Sequence, residues 1–194
     1  MSHSLPFSPP SAWIARFAPL VPPGARLLDL ACGSGRHLRL FLDRGCIVTG
    51  VDIDLRGVAD LAGQPGVSLL QADLENGNPW PETLADFDAV IVTNYLYRPL
   101  LPHLLAALKP GGILLYETFA MGNQRFGRPA SPAFLLRAGE LLDLARDSLH
   151  VVAFEQGEVA SPKAAVIQRL CAIAHPSPAP DLNGDPEPVS LPSA

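Results

Sequence analysis

The chain has 194 residues, 48% of them hydrophobic, enough to fill the core of one sizeable domain. Only 17% are charged, and a formal net charge of -5 excludes an overall positive field that would hold nucleic acid or anionic lipid, so neither is expected as a partner. No run approaches the roughly 20 apolar residues a bilayer needs, and residues 1–10 lack a basic stretch followed by an apolar one, so a soluble, unexported, cytoplasmic protein is expected.

Along the chain, Ser8-Pro9-Pro10 ahead of Trp13, Ile14, Phe17 and Leu20 predicts a capped short helix with one apolar side, ended by Pro22-Pro23-Gly24. Residues 25–31 read as a first strand, 35–44 as a helix with Leu38, Phe41 and Leu42 on one side, and 46–53 as a second strand, which makes one βαβ unit. The alternation continues through helix 55–62, strand 67–72, a Pro- and Asn-containing crossover, strand 87–93, helix 98–108 and strand 112–118; Lys109-Pro-Gly-Gly112 reads as a helix-ending turn. A helical stretch at 132–146 precedes two strand-like runs, 149–156 and 164–174. Gly157 to Lys163 between them is too short for a crossover helix, which predicts an antiparallel pair.

Unbroken Val, Ile and Leu runs imply strands buried on both faces, hence a doubly wound α/β fold of Rossmann-like type, mostly parallel, with helices on both sides. The domain is expected over 11–175, after an N-terminal segment 1–10 and before a Pro-rich flexible tail, 176–194.

The chemistry concentrates in the segment Asp29-Leu-Ala-Cys-Gly-Ser-Gly-Arg-His37, between the first strand and the first helix of the sheet. Small residues at Ala31, Gly33 and Gly35 let a ligand touch the backbone there. A dinucleotide site wants a third Gly, where this chain has Leu38, and no Lys follows the glycines as a P-loop requires. Asp29 before the turn suits a ligand with a cationic ammonium and no phosphate. Asp52, ending the second strand, is placed to accept from two ribose hydroxyls, and Asp73, ending the third, from an exocyclic amine. Either acid taken singly reads equally well as a helix cap. Together they describe S-adenosylmethionine laid across the sheet.

The motifs DLACGSGRH, VDID, QADL, FDAVIVTNYLY and LKPGGILLYET resemble those of the class I S-adenosylmethionine-dependent methyltransferases, with a fainter likeness to the small tellurite-resistance and thiopurine-type members, over roughly residues 11 to 175. The resemblance implies that Asp29, Ala31, Gly33 and Gly35 surround the methionine part, with Cys32 among the cofactor-binding residues. It further implies that Asp52 binds the ribose, that Asp73 and Leu74 border the adenine and that Asn94 lies beneath the sulfonium, with Ile53 also among the cofactor-binding residues. Ala31 stands where the family usually has Gly, an exchange that costs little if the backbone there is strand-like. Thr93 to Arg98 lacks the Asn-Pro-Pro-Tyr or Asp-Pro-Pro-Tyr pattern of members that methylate amino groups of bases or glutamine.

The acceptor is expected to be a small molecule offering O, N, S or a metalloid. Tyr95 and Glu117 are the candidate catalytic residues, and Tyr97, Phe119, Arg125, Phe126 and Arg128 the candidate substrate residues, on loops at strand carboxyl ends. The arginines read otherwise as surface partners of Glu140 or Asp143. His37 and His103 are poorer candidates for a base, and Cys32, one of three cysteines without metal-ligand spacing, for a nucleophile; no metal is expected. The competing readings are a non-catalytic S-adenosylmethionine-binding sensor or subunit, and an RNA methyltransferase, which the acidic balance disfavours.

Overall fold

Strands without a polar face must be covered on both sides, and in the computed structural model of the protein, which describes residues 8–175 and 190–192, they are. The sheet comprises β1 (Arg26–Leu30), β2 (Ile47–Asp52), β3 (Val67–Gln71), β4 (Phe87–Thr93), β5 (Leu108–Phe119), β6 (Leu149–Val159) and β7 (Ala165–Ala174), in the order β3-β2-β1-β4-β5-β7-β6. The five strands β1 to β5 are parallel, whereas β7 lies antiparallel to both β5 and β6. Strand order reverses between β1 and β4, and their carboxyl ends therefore flank a crevice.

Successive side chains on each strand enter opposite layers. Leu28, Leu30, Val90, Val92, Leu114 and Leu170 pack with α3 (Leu101–Ala106) and α4 (Glu140–Ala145). Leu27, Ala89, Ile91, Leu115 and Cys171 pack with α1 (Ala12–Phe17) and α2 (Arg36–Asp43). No helix among the described residues is long and apolar enough to cross a membrane.

Several helices are shorter than expected, each for a local reason. The cap of α1 is Ser11, not Ser8: its Oγ accepts from the backbone N–H of Trp13 at 3.1 Å and of Ile14 at 3.5 Å. Residues 55–61 form a 3₁₀ segment in which Gly57 abuts the loop after β1; a Cβ there would stand 2.8 Å from the Gly33 carbonyl oxygen. Arg98–Leu100 is a 3₁₀ turn ahead of α3. Lys109 to Gly112, expected as a turn, opens β5 instead, with Gly111 at φ 78 and a register shift against Phe87 and Ala89. The stretch 132–146 is broken: Leu135 is extended, Leu136 bridges to Ala120, and Gly139 at φ 70 starts α4 anew. The terminal hairpin pairs antiparallel as the sequence predicts, and β6 runs on to Val159. The expected tail lies outside the described residues except at 190–192, and the expected N-terminal segment except at 8–10.

Candidate functional site

The loop leaving β1 turns by three left-handed residues, Ala31 (φ 55), Gly33 (φ 55) and Gly35 (φ 71). Ala31 is thus not strand-like as the sequence suggested, and carries the strain of an L side chain in that region. The loop is closed behind and open in front. Gly57 fills the space behind the Gly33 carbonyl, whereas a Cβ on Gly33 itself would meet nothing within 4 Å. Hydrogen bonds hold the turn, Cys32 N–H to Val51 O at 3.1 Å and Gly35 N–H to Cys32 O at 2.9 Å. Burial pushes the Cys32 thiol up to about 12, so it stays protonated and unreactive.

Asp29 lies beneath this loop, 1% exposed, and neither carboxylate oxygen has a hydrogen-bond partner. Burial raises its carboxyl from the ordinary range to about 8, against the opposing pull of Arg36. Opposite stands His37, whose Nδ1 is 3.9 Å from Asp29 Oδ2, too far for a hydrogen bond. His37 Nε2 accepts the backbone N–H of Ser11 at 3.2 Å, so the ring proton sits on Nδ1, facing Asp29. Burial, and then Arg36, lower the imidazole to about 3, and the pair is accordingly not an ion pair at neutral pH. A buried carboxylate without partners is a cost that a cation bound on the loop's open side offsets. The carboxyl group is enclosed and presents no oxygen on the loop's open side.

Asp52, at the end of β2, accepts from Gly33 N–H at 2.8 Å with Oδ2 and from Asp54 N–H at 3.0 Å with Oδ1. Each oxygen retains acceptor capacity, as a ribose diol requires. Beside it Ile53 is 62% exposed, an apolar side chain in water at a strand end, suited to the face of a sugar or base. Asp73 is exposed and caps Glu75 N–H at 2.9 Å, and Leu74 packs half-buried against the core. Asn94 follows β4 at φ 55 with its N–H bonded to Glu117 O at 2.9 Å. An orphaned carboxylate, an open glycine, a diol-sized acceptor and an exposed Ile on consecutive strand ends fit the parts of S-adenosylmethionine.

Next to Asn94 opens a cavity of ≈ 550 Å³. The candidates Glu117, Phe119, Phe126 and Arg128 line it, together with Ser8 to Ala12, Arg36, Asn123, residues 161–165 of the hairpin, Ile167 and Arg169. Glu117 is held by Arg169, whose Nε donates to Oε2 at 2.5 Å and whose second nitrogen reaches Glu155 at 3.2 Å. The antiparallel register of β5 and β7 sets Glu117 opposite Arg169. Asn123 is buried, donates to Pro129 O and accepts from Val166 N–H, which fixes the loop bearing Phe126 and Arg128.

The remaining candidates stand elsewhere. Arg125 does not line the cavity and pairs with Glu158, while Glu140 and Asp143, the partners expected for the arginines, are engaged by Arg98, Arg137 and Arg146. Tyr95 and Tyr97 pack against the layer that holds Leu74 and Trp80, outside the cavity lining. Burial and then Glu75 raise the Tyr95 phenol above its ordinary value, which opposes its use as a base. His103 stacks on Trp80 at 5.4 Å. Sequence reasoning missed Arg169, residues 8–12 and the hairpin loop, which reach the cavity from chain segments far from any motif, and Arg36, which lies within the glycine-loop motif but whose side chain the letters do not orient toward the cavity. Among the described residues no cluster of His, Cys, Asp or Glu could hold a metal ion.

Comparison with known proteins gives a methyltransferase domain model matching residues 6–149. The chain is 34% identical over 106 residues to a malonyl-[acyl-carrier protein] O-methyltransferase of Serratia marcescens, covering 52% of this chain and 41% of that protein. It is 33% identical over 119 residues to a tRNA U34 carboxymethyltransferase of Methylococcus capsulatus, covering 55% and 35%. The chain therefore spans less than half the length of either relative. In fold it resembles the crystal structure of TehB from Haemophilus influenzae, with a TM-score of 0.67 at 19% identity, covering 83% of this chain and 61% of that one.

Proposed function

We propose, from the premise that the chain belongs to the methyltransferase domain family of the class I S-adenosylmethionine-dependent type, that it transfers the sulfonium methyl group to a small-molecule acceptor held in the cavity beside Asn94. The observation that carries this reading is the cavity itself. It adjoins the strand end next to the glycine loop, is lined by residues of the N-terminal segment, the loop after β5 and the terminal hairpin, and has the size of a small-ligand site.

S-adenosylmethionine supplies an electrophilic methyl on a good leaving group; the chain's residues do the placing. Asp52 and Ile53 would fix the ribose, the open side of Gly33 the amino-acid end, and Asn94 the cofactor's face toward the cavity. Phe119 and Phe126 exclude water from the acceptor side. Alignment of nucleophile and methyl carbon is worth roughly 7–11 kcal/mol in favourable systems, so a protein base is dispensable wherever the acceptor arrives deprotonated.

Calorimetric titration with S-adenosylmethionine, S-adenosylhomocysteine and NADH, followed by an acceptor screen read as S-adenosylhomocysteine formed, tests the reading. Binding of both adenosyl ligands but not NADH, with turnover on a small acceptor, is expected. Binding without turnover on any acceptor makes the protein a cofactor sensor or subunit. Turnover on tRNA alone overturns the small-molecule assignment.

A further inference from the structure

We propose that the acceptor taken by this cavity is an organic carboxylate with an apolar body, methylated on a carboxylate oxygen. The inference rests on the methyl-transfer reading above and adds the substrate class to it.

Two features of the cavity converge on that class. The first is its balance of charge. Arg36, Arg128, Lys163 and Arg169 line it against a single carboxylate, Glu117, which Arg169 already occupies at 2.5 Å. Arg128 and Lys163 have no carboxylate within salt-bridge distance among the described residues, and Arg36 reaches only the Pro9 carbonyl, at 3.4 Å. Cations left over at a concave, partly apolar surface favour an anionic guest. The second is the wall between them. Pro9, Pro10, Phe119, Phe126, Val159 and Ile167 offer hydrocarbon and aromatic surface, which an inorganic oxyanion would leave uncovered and an organic acid would fill.

The chemistry agrees with the inventory. Among the described lining residues no His, Tyr or Asp is present, and the one Glu is ion-paired, so the cavity offers no free base. A carboxylate needs none, being ionised well below neutral pH. Its oxygen attacks the methyl carbon; the O–C bond forms as the S–C bond breaks, and the bonding pair goes to sulfur. The products are a methyl ester and S-adenosylhomocysteine, both neutral at the reacting centre, with no proton to move.

The test uses the full chain with S-adenosylhomocysteine bound, titrated with phenylacetate, benzoate and hexanoate, and with phenylacetamide as the uncharged counterpart. The same acids are then assayed with S-adenosylmethionine for methyl ester. At least one acid is expected to bind and form ester, phenylacetamide to bind at least about tenfold more weakly, and a Arg128→Gln/Lys163→Gln variant to weaken acid binding at least about tenfold while its affinity for S-adenosylhomocysteine is unchanged. The proposal is overturned if the amide binds as well as the acid, if the variant holds the acid as before, or if no acid binds to protein that does bind S-adenosylhomocysteine. Failure to bind S-adenosylhomocysteine at all would instead bring down the methyl-transfer reading beneath it.

Discussion

Asp29 contributes most where it is least comfortable. Its folded carboxyl lies near 8 against an ordinary 3.8, so the folded state holds a proton that the unfolded chain releases, and stability falls as pH rises between those values. His37, lowered from 6.5 to about 3, acts oppositely: its contribution is present above 6.5 and lost as pH falls toward 3. Between about 6.5 and 8 only the Asp29 slope remains. Asp29→Asn should therefore abolish the decline of cofactor-free stability across that window and raise stability at pH 8 by an amount on the order of a few kcal/mol, while weakening S-adenosylmethionine binding. Urea midpoints at pH 6.5 and 8 decide it, since equal slopes in both proteins would mean that Asp29 ionises normally. At Ala31 the left-handed backbone costs roughly 1–2 kcal/mol, partly offset because Ala restricts the unfolded chain more than Gly does. Ala31→Gly should stabilise by about 0.5–1 kcal/mol; an unmoved urea midpoint would show the turn to be unstrained. Neither effect is visible in the letters DLACGSGRH, which mark a turn of small residues after a strand but not which way each residue turns.

The elements around these residues were legible in proportion to how far they depend on local pattern. Strands β1, β2, β3, β4 and β7 declare themselves as Val, Ile and Leu runs, and the strand-end acids Asp29, Asp52 and Asp73 followed because strand ends are fixed by those runs. Helices are shorter than their periodicity predicts where tertiary contact prevails. Leu135 and Leu136 look helical in sequence but are drawn out to meet Ala120, and Leu55 to Leu61 winds tightly so that Gly57 fits under Gly33. Helix α1 has six residues, far too few to persist alone, and is kept by Trp13, Ile14 and Phe17 in the core and by its cap. Loss of the Ser11 hydroxyl should cost about 1 kcal/mol, and Ser11→Asp should restore it where Ser11→Ala does not. Equal urea midpoints for the alanine and aspartate variants would remove the cap from the account of this helix.

At the scale of the molecule, the site is assembled from distant parts of the chain that only the sheet brings together. Residues 8–12, the loop after β5 and the β6–β7 connection meet over Asn94, and a chain of alternating charge, Glu117, Arg169, Glu155 and Arg16, runs from the cavity through the hairpin to α1. No motif spans those segments, which is why the strand-end acids and the glycine loop could be placed from sequence and most of the cavity lining could not. A ligand that binds only this folded arrangement must stabilise the whole of it. S-adenosylhomocysteine at one hundred times its dissociation constant adds about 2.7 kcal/mol, which for a domain of this size raises the melting temperature by roughly 5–10 °C. NADH should produce no rise, because Leu38 replaces the third glycine that a pyrophosphate site needs. The two melting curves, measured at the same protein concentration and pH, separate the alternatives directly: a rise with NADH alone would mean that the loop after β1 holds a dinucleotide and that the strand-end acids serve another ligand.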